Sequence, residues 1–591
     1  MEISRLFDYL TQQVEERPNQ KFLAGKITEG GHKIWKHYTF QEVQIISDRV
    51  AQALLNLGVQ PGDMIGLSAL NCPEWNFIDL GVQKIGAILV PLYPTASTND
   101  FRFIFNDAQI KIAFMGDEML YRKTVSIQPD VPSLRAIYSF NEVNGAPNWK
   151  TILPEADAVN YEVLNQRKAA VQELDMATII YTSGTTGNPK GVMLTHKNMV
   201  SNLKMTDSIL PFEEDRRSLS FLPLCHVFER IVFFAYLKNA IHIHYAENLE
   251  TIGENLKEVK PFVFTTVPRL LEKVYERIMN TGHALTGIKK KLFFWAMEVG
   301  NHYELNKDQG LVYRTKLNIA RKLIFSKWQE ALGGEVKFIV TGAAPLQARL
   351  GRIFSAAGIA VIEGYGLSES SPGLCLNRYE EKDRMIGTVG LPLPGVDIKL
   401  AEDGEILAKG PNIMKGYYNR PDLTAEVIDS DGYLHTGDVG EWVDGRFLRI
   451  TDRKKELFKT SGGKYVAPAP IENKLKESHF IEQVMLVGDN QKFVTALVVP
   501  SFANLQAWAK ENEVPYETNR QIVDNEKVKH LIYKDIEQFN QQLGNVERVK
   551  KFTLLEKEWT IEEGELTPTL KVKRKTILTR YQREVEQMYA D

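Results

Sequence analysis

The sequence predicts an α/β chain with a large N-terminal domain of several subdomains and a smaller α+β C-terminal domain. Three observations lead there. Short β-branched runs (IGLSAL, AILVPLY, KIAFMG, TIIYTS, FVFTTV and KFIVTGAA) alternate with longer helical patterns through the first two-thirds of the chain. From about residue 385 the texture changes to short strands cut by Pro394-Gly395, Asp403-Gly404, Asp431-Gly432 and Asp444-Gly445, which reads as a β-rich subdomain over about 385–451. The charged, glycine-containing stretch TDRKKELFKTSGGKY follows, and beyond it come separate apolar runs, QVMLVGD and FVTALVVPS. A boundary is therefore expected between 451 and 452, giving domains 1–451 and 452–591.

Each part has its own justification. At 591 residues the chain exceeds what one hydrophobic core organises, so two to four domains are expected. Ile3, Leu6, Phe7, Leu10 and Val14 line one face of an expected amphipathic helix, and that segment lacks the basic start and apolar core of a secretory signal. Residues 268–331 are nearly free of strand signals and read as a helical insertion. With 43% hydrophobic and 25% charged residues the chain belongs to ordinary globular proteins, and its net charge of -3 offers no global reason to bind nucleic acid. The three cysteines, Cys72, Cys225 and Cys375, lie far apart without CxxC spacing, which argues against a disulfide framework or a cysteine zinc site and fits a reducing cytoplasm. His242 and His244 alternate along an expected strand, and without a third ligand they read as structural.

YTSGTTGNPKG, Tyr181 to Gly191, is the strongest local feature. Three glycines, hydroxyl side chains and one lysine directly after a strand supply the backbone N–H groups, donors and positive charge that suit a polyphosphate. Walker A spacing fails, because Pro189 precedes the lysine and Gly191 follows it, so a P-loop NTPase is disfavoured. GLSES at 366–370 lacks the final glycine of a nucleophile elbow, which disfavours a serine hydrolase.

SGTTGNPKGV resembles the signature of the adenylate-forming superfamily, which includes acyl-CoA synthetases, luciferases and peptide-synthetase adenylation domains. TGAAP at 341–345, GYGLSES at 364–370, YLHTGDVG at 433–440 and DRKKELFKTSGGKYVAP at 452–468 follow in the family's order. The resemblance implies an adenylate-forming N-terminal domain, a mobile C-terminal domain, and two steps at one site. A carboxylate attacks the α-phosphate of ATP and expels pyrophosphate, and the acyl group then passes from AMP to a thiol.

The same resemblance distributes roles along the chain. Thr182, Ser183, Gly184, Thr185, Thr186, Gly187 and Lys190 match the phosphate-holding segment. Tyr365 matches the aromatic that packs on adenine, with Gly342, Ala343 and Ala344 on the other face and Gly366 and Ser368 beside it. Glu369 matches the Mg²⁺ ligand, as a hard cation requires of an oxygen donor. Asp438 matches the acceptor of the ribose hydroxyls, Arg453 a ribose or phosphate contact, and Lys455 the domain-rotation hinge. Gly462 and Gly463 match the loop that helps form the thiol channel. In ELTPTLKVKRKTI, Lys571 matches the lysine that reaches the carboxylate and α-phosphate. Lys573 is its rival, because Thr569-Leu570 replaces the usual Ser-Gly.

PLCHVFER at 223–230 and TTVPR at 265–269 resemble motifs of long-chain fatty acyl-CoA synthetases, which implies that His226 lines the site beside the acid. The expected function is an ATP-dependent long-chain fatty acid:CoA ligase with Mg²⁺ as cofactor and ATP and CoA as co-substrates. Transfer to acyl-carrier protein, or a catalytically silent lipid- or nucleotide-binding regulator, is the alternative. The expected partners are long-chain fatty acid, ATP and CoA, with no nucleic acid. A homodimer is allowed, as is peripheral contact with the inner face of a membrane through IKKKLFFW at 288–295.

Overall fold

The computed structural model describes residues 3–182, 188–207, 209–248, 250–561, 563–567 and 571–590. They form two compact units, one of residues 1–398 and 408–435, the other of residues 399–407 and 436–591. The matches to the AMP-binding motifs up to GYGLSES fall in the first unit, and those from HTGDVG onward fall mainly in the second.

Two sheets organise the first unit. Among the described residues the smaller one has seven strands in the order Gly416–Tyr417, Lys190–Thr195, Met176–Thr182, Ile88–Pro91, Met64–Ser68, Ile112–Met115 and Ala136–Ser139. Its inner strands are parallel and buried on both faces, which explains why they read as continuous apolar runs. Among the described residues the larger sheet has nine strands: Leu391–Pro392, Gly373–Leu376, Ala360–Gly366, Phe338–Thr341, Val263–Thr266, Arg217–Ser220, His242–Tyr245, Lys21–Glu29 and His32–Thr39. All six runs named above as strands are strands. The short segments beyond residue 385 are shared out, Leu391–Pro392 joining the larger sheet and Gly416–Tyr417 the smaller.

Helices Pro268–Ala284, Gly287–Asn301 and Gly310–Ala320 build the helical segment and cover the larger sheet through a core that includes Leu271, Phe293, Leu317, Trp328 and Phe354. Phe293 is seated against Gly282, where an added Cβ would lie 2.1 Å from its ring. Thus the aromatic part of IKKKLFFW turns toward the protein, while Ile288, Lys289 and Lys291 are exposed. No helix among the described residues is long and apolar enough to cross a membrane.

The expected N-terminal helix begins at Asp8 rather than Ile3. The Asp8 carboxylate accepts from the Arg5 backbone N–H at 3.0 Å and pairs with the Arg5 guanidinium at 2.8 Å, which holds a turn ahead of the helix. Leu6 and Phe7 are still buried.

In the second unit the antiparallel pair Leu434–Val443 and Phe447–Arg453 aligns Asp438 with Arg453. A three-stranded sheet of Ile481–Val487, Val494–Pro500 and Val549–Leu554 carries its core, with helix Glu526–Asn540 contributing Val528, Ile532 and Ile536. The alternation of strands and helices here is what the apolar runs QVMLVGD and FVTALVVPS imply.

Candidate active site

The segment expected to hold phosphate lies between two antiparallel strands of the smaller sheet, with Thr182 opposite Lys190. Ser183, Gly184, Thr185, Thr186 and Gly187 lie outside the described residues. Gly191 follows Lys190 because the strand passes close to Ile179, where an added Cβ would stand 2.8 Å from a side-chain methyl.

Lys190 is half-buried, and its Nζ lies 5.2 Å from the ring centroid of Tyr417, a cation–π geometry. Tyr417 sits in the two-residue strand that pairs with the lysine's own strand, opposite Val192. Its hydroxyl donates to Glu369 Oε1 at 2.7 Å. Burial, reinforced by the Glu369 carboxylate, pushes the Tyr417 phenol far up, so it stays a neutral donor. Tyr417 therefore joins the lysine expected to meet phosphate to the carboxylate expected to hold the metal.

Glu369 is placed by a short 3₁₀ turn, Ser368–Ser370, at the end of strand Ala360–Gly366. Its backbone carbonyl accepts from the Met414 N–H at 2.8 Å, which ties the turn to the segment that leads into Tyr417. Only glycine fits at 366, since a Cβ there would lie 1.7 Å from the Pro372 carbonyl oxygen. That close return of the chain sets the direction of Ser368 and Glu369 as they leave the strand.

Tyr365 is buried on the same strand, and its neighbour strand Phe338–Thr341 runs parallel with Thr341 opposite Glu363. Gly342, Ala343 and Ala344 therefore leave the carboxyl end of that neighbour strand, where open parallel sheets bind ligands. An added Cβ on Gly342 would stand 3.2 Å from the Gly364 carbonyl oxygen, so the two segments run nearly in contact. Ala343 holds φ of 67°, an uncommon conformation for a residue with a Cβ, as found where a backbone is shaped for binding. Glu363, two residues before Tyr365, has its carboxyl raised by burial to about 8, opposed by N–H groups of Leu346 and Gly387.

His226 caps helix Val227–Lys238, its Nδ1 accepting from the Phe228 N–H at 3.1 Å, with Tyr93 edge-on at 6.5 Å between ring centroids. Phe228 reaches toward the Gly342 turn, its ring edge 4.0 Å from where a Cβ would stand there. The residues that follow are structural. Glu229 is buried, accepting from the hydroxyls of Ser220 at 2.5 Å and Thr265 at 2.6 Å, and burial pushes its carboxyl up to about 7 against those two hydrogen bonds. Arg230 makes a fully buried two-point pair with Asp79, at 2.5 and 3.1 Å, which locks this helix to helix Pro73–Lys84.

In the second unit Asp438 is buried and pairs across the strands with Arg453, Oδ1 to Nε at 3.0 Å. Gly437 just before it has φ of 72°, and its N–H donates to Glu405 at 3.0 Å. Lys455 is exposed in the turn that follows strand Phe447–Arg453. Gly462 and Gly463 form the turn between Phe458–Lys459 and Tyr465–Val466, closed by the Thr460 N–H on the Lys464 carbonyl at 2.9 Å. Lys571 is exposed, its backbone N–H donating to the Thr567 hydroxyl Oγ1 at 3.0 Å and its carbonyl accepting from the Thr567 N–H at 2.8 Å. Thr569 and Leu570 are outside the described residues. Lys573 stands at the start of helix Arg574–Arg580, its N–H bound to the Glu565 carbonyl at 2.8 Å.

The structure thus gathers Lys190 with Glu369, and Tyr365 with Gly342 to Ala344, in one unit, and Asp438 with Arg453 in the other. Sequence reasoning missed Tyr417. Its signal was the aromatic pair in GYYNRP, an exposed-looking turn motif whose partner strand lies more than 200 residues earlier.

The AMP-binding enzyme family matches residues 10–418, and the AMP-binding enzyme C-terminal domain matches residues 456–591. The chain is 34% identical over 565 residues to the long-chain-fatty-acid–CoA ligase FadD15 of Mycobacterium bovis, covering 94% of this chain and 93% of that protein. It is 33% identical to the human long-chain-fatty-acid–CoA ligase 1, covering 93% of this chain and 82% of that protein. In fold it is similar to the adenylation domain of a carboxylate reductase from Mycobacterium chelonae, with a TM-score of 0.76 at 21% identity, over 99% of this chain and 91% of that one.

Proposed function

We infer that this chain, which belongs to the AMP-binding enzyme family, is an ATP-dependent long-chain fatty acid–CoA ligase. The observation that carries the reading is the likeness to long-chain ligases across nearly the whole chain, C-terminal part included. In the first step a fatty-acid carboxylate oxygen bonds to the α-phosphorus of ATP, and the bond to pyrophosphate breaks with its electron pair leaving on pyrophosphate. In the second, the CoA sulfur, having lost its proton, bonds to the acyl carbon, and AMP leaves with the electrons of the C–O bond.

Geometry supports a role for each group. Lys190 supplies positive charge for the phosphates where charge develops, and Tyr417 beneath it keeps the side chain directed. Glu369 fits a hard cation: a half-exposed carboxylate with one oxygen steadied by the Tyr417 hydroxyl and its turn anchored to Met414. A Mg²⁺ ion held there would neutralise charge on the phosphates. Tyr365 and the Gly342–Ala344 turn form the adenine slot, with Gly366 and Ser368 at its edge. Asp438, held by Arg453, receives the ribose hydroxyls. His226, oriented by its capping bond, sits at the acid end. Gly462 and Gly463 belong to the thiol channel.

Lys571 serves the adenylation step, with residues 452–591 as the moving part and Lys455 as its hinge. The family's C-terminal match beginning at residue 456 supports a boundary there rather than at the end of the compact first unit. Lys455→Pro is expected to slow thioester formation more than pyrophosphate release; equal effects on both would remove the hinge. Three unpaired cysteines, two of them buried, suit a cytoplasmic setting.

The test is a panel of fatty acids from short to very long chains, with ATP and either CoA or acyl-carrier protein, followed by pyrophosphate release and identification of the thioester. Long-chain acyl-CoA is the expected product. Acyl-carrier thioester instead would transfer the reading to the carrier-linked alternative, and no acid-dependent pyrophosphate would point to a silent binding protein.

A further inference from the structure

Far along the larger sheet from the nucleotide residues, the fold brings a third histidine to the pair at 242 and 244. His37 lies on the edge strand His32–Thr39, opposite Ala24 on strand Lys21–Glu29, and Ala24 is in turn opposite His244 on strand His242–Tyr245. Residues directly opposite share a face, and so do residues two apart on one strand, which puts His37, His242 and His244 on one side of the sheet. The strand between them carries only a methyl at this point, and Ala24 is fully buried. Two strand spacings, about 10 Å, separate the backbones of His37 and His244. Imidazoles reaching inward from both sides close that gap over the alanine.

One ligand nitrogen from each of the three rings lies within 4.8 Å of the others. His37 Nδ1 and His242 Nε2 are 3.2 Å apart, near the about 3.3 Å that separates two nitrogens on a tetrahedral zinc. His242 and His244 stand 4.1 Å apart between ring centroids. His244 is 5% exposed, and its Nδ1 is buried with no hydrogen-bond partner among the described residues, a cost that a bound ligand would remove. Trp35 lies edge-on to His244 at 5.1 Å and walls one side, while half-buried His37 leaves an approach from solvent.

We propose that His37, His242 and His244 form a three-histidine site for a borderline transition-metal cation of the Zn²⁺ class, with water or a small anion in a fourth position. Three neutral imidazoles with no carboxylate or thiolate among them match zinc, copper, nickel or cobalt rather than magnesium or calcium. Burial, with the neighbouring histidines next, pushes His242 down to about 2, and burial followed by His37 takes His244 to about 3. His37 is lowered by burial and by Lys21. All three rings are therefore uncharged at neutral pH, and the 3.2 Å hydrogen bond between His37 and His242 is one that a bound ion would replace. Lys21 and Arg217, which disfavour imidazolium here, also work against a cation, so the site depends on its three ligands. The bound ion would pin the edge strand to the second strand inward, past the one strand it hydrogen-bonds.

The tag-free full chain, stripped with chelator and dialysed against Zn²⁺ alone, is expected to retain one ion per chain by elemental analysis. Co²⁺ in its place should give the visible bands of a low-coordinate nitrogen site. His37→Ala and His244→Ala should each weaken Zn²⁺ binding by more than the about 100-fold that loss of an outer supporting partner can cost. His32→Ala, exposed on the same strand, should leave it unchanged. Because His37 is half-buried at a sheet edge, its variant is the one to confirm as folded by its unfolding midpoint and retained pyrophosphate release. Absence of stoichiometric Zn²⁺ in the wild-type chain, six-coordinate Co²⁺ bands, or unchanged affinity in folded His37→Ala would overturn the site.

Discussion

Lys190 and Lys571 are both lysines proposed to meet phosphate, yet the chain holds them in different ways. Lys190 leaves a paired strand, rests on Tyr417, and through that ring is connected to Glu369. Lys571 stands exposed, its backbone N–H donating to Thr567 Oγ1 and its carbonyl accepting from the Thr567 N–H. A group that must grip phosphate in every state of the cycle gains from being locked in place. A group proposed to act in one step and withdraw for the next gains from standing exposed rather than buried in a core. The difference predicts that substitutions near Lys190 alter position and chemistry together, whereas substitutions at Lys571 alter chemistry alone.

The largest expected effect is at the exposed lysine. Lys571→Ala should lower fatty-acid-dependent pyrophosphate release by about 10³-fold, the scale of removing one group aimed at transition-state charge. Thioester formation from supplied acyl-AMP should be spared, and unfolding should change by less than about 0.5 kcal/mol, as at other exposed positions. Equal loss in both steps, or loss confined to Lys573→Ala, would break the comparison.

Next comes a stability effect in the packed region. Glu229 is held neutral up to about 7 by burial. A carboxyl with a raised folded value contributes stability that is complete below its ordinary value and is lost as pH rises through the folded one. Against Glu229→Gln, the wild-type chain should therefore lose about 3 kcal/mol between pH 4.5 and 7, at 1.36 kcal/mol per unit. Denaturant unfolding of both proteins at pH 5 and pH 8 measures this, and a pH-independent difference would contradict it.

Glu369→Gln keeps the shape and removes the charge, so pyrophosphate release should fall about 10²-fold and the Mg²⁺ needed for half-maximal rate should rise. Tyr417→Phe is the gentlest and most discriminating change. It keeps the ring against Lys190 but deletes the hydrogen bond to Glu369, and should raise the half-maximal Mg²⁺ about 10-fold with little change in the ATP requirement. A rise in the ATP requirement alone would separate Lys190 from Glu369 and sharpen the comparison toward the ring.

Some elements are written in the chain directly, others are not. The strands Met64–Ser68, Ile88–Pro91, Val263–Thr266 and Phe338–Thr341 were legible because buried parallel strands write continuous apolar runs. The glycine-rich segment before Lys190 stood out in the sequence because phosphate binding needs backbone N–H groups and charge within a few residues, and its residues 183–187 lie outside the described structure. Tyr417, Asp79 and His37 were not. Each acquires its role from a partner far away in sequence: Tyr417 from strand pairing with Val192, Asp79 from Arg230, and His37 from two neighbouring strands in register. Nothing local distinguishes these residues from a turn tyrosine, a helix aspartate or an edge-strand histidine. The N-terminal helix shows the opposite error, where periodicity extended into a turn that Arg5 and Asp8 close.

The most direct test of the account supplies the purified chain with palmitate, ATP, Mg²⁺ and CoA and identifies every product by mass spectrometry. The account predicts palmitoyl-CoA and AMP in equal amounts, with pyrophosphate released even when CoA is left out. Thioester formed with ADP and phosphate, or no palmitate-dependent AMP at all, would contradict it.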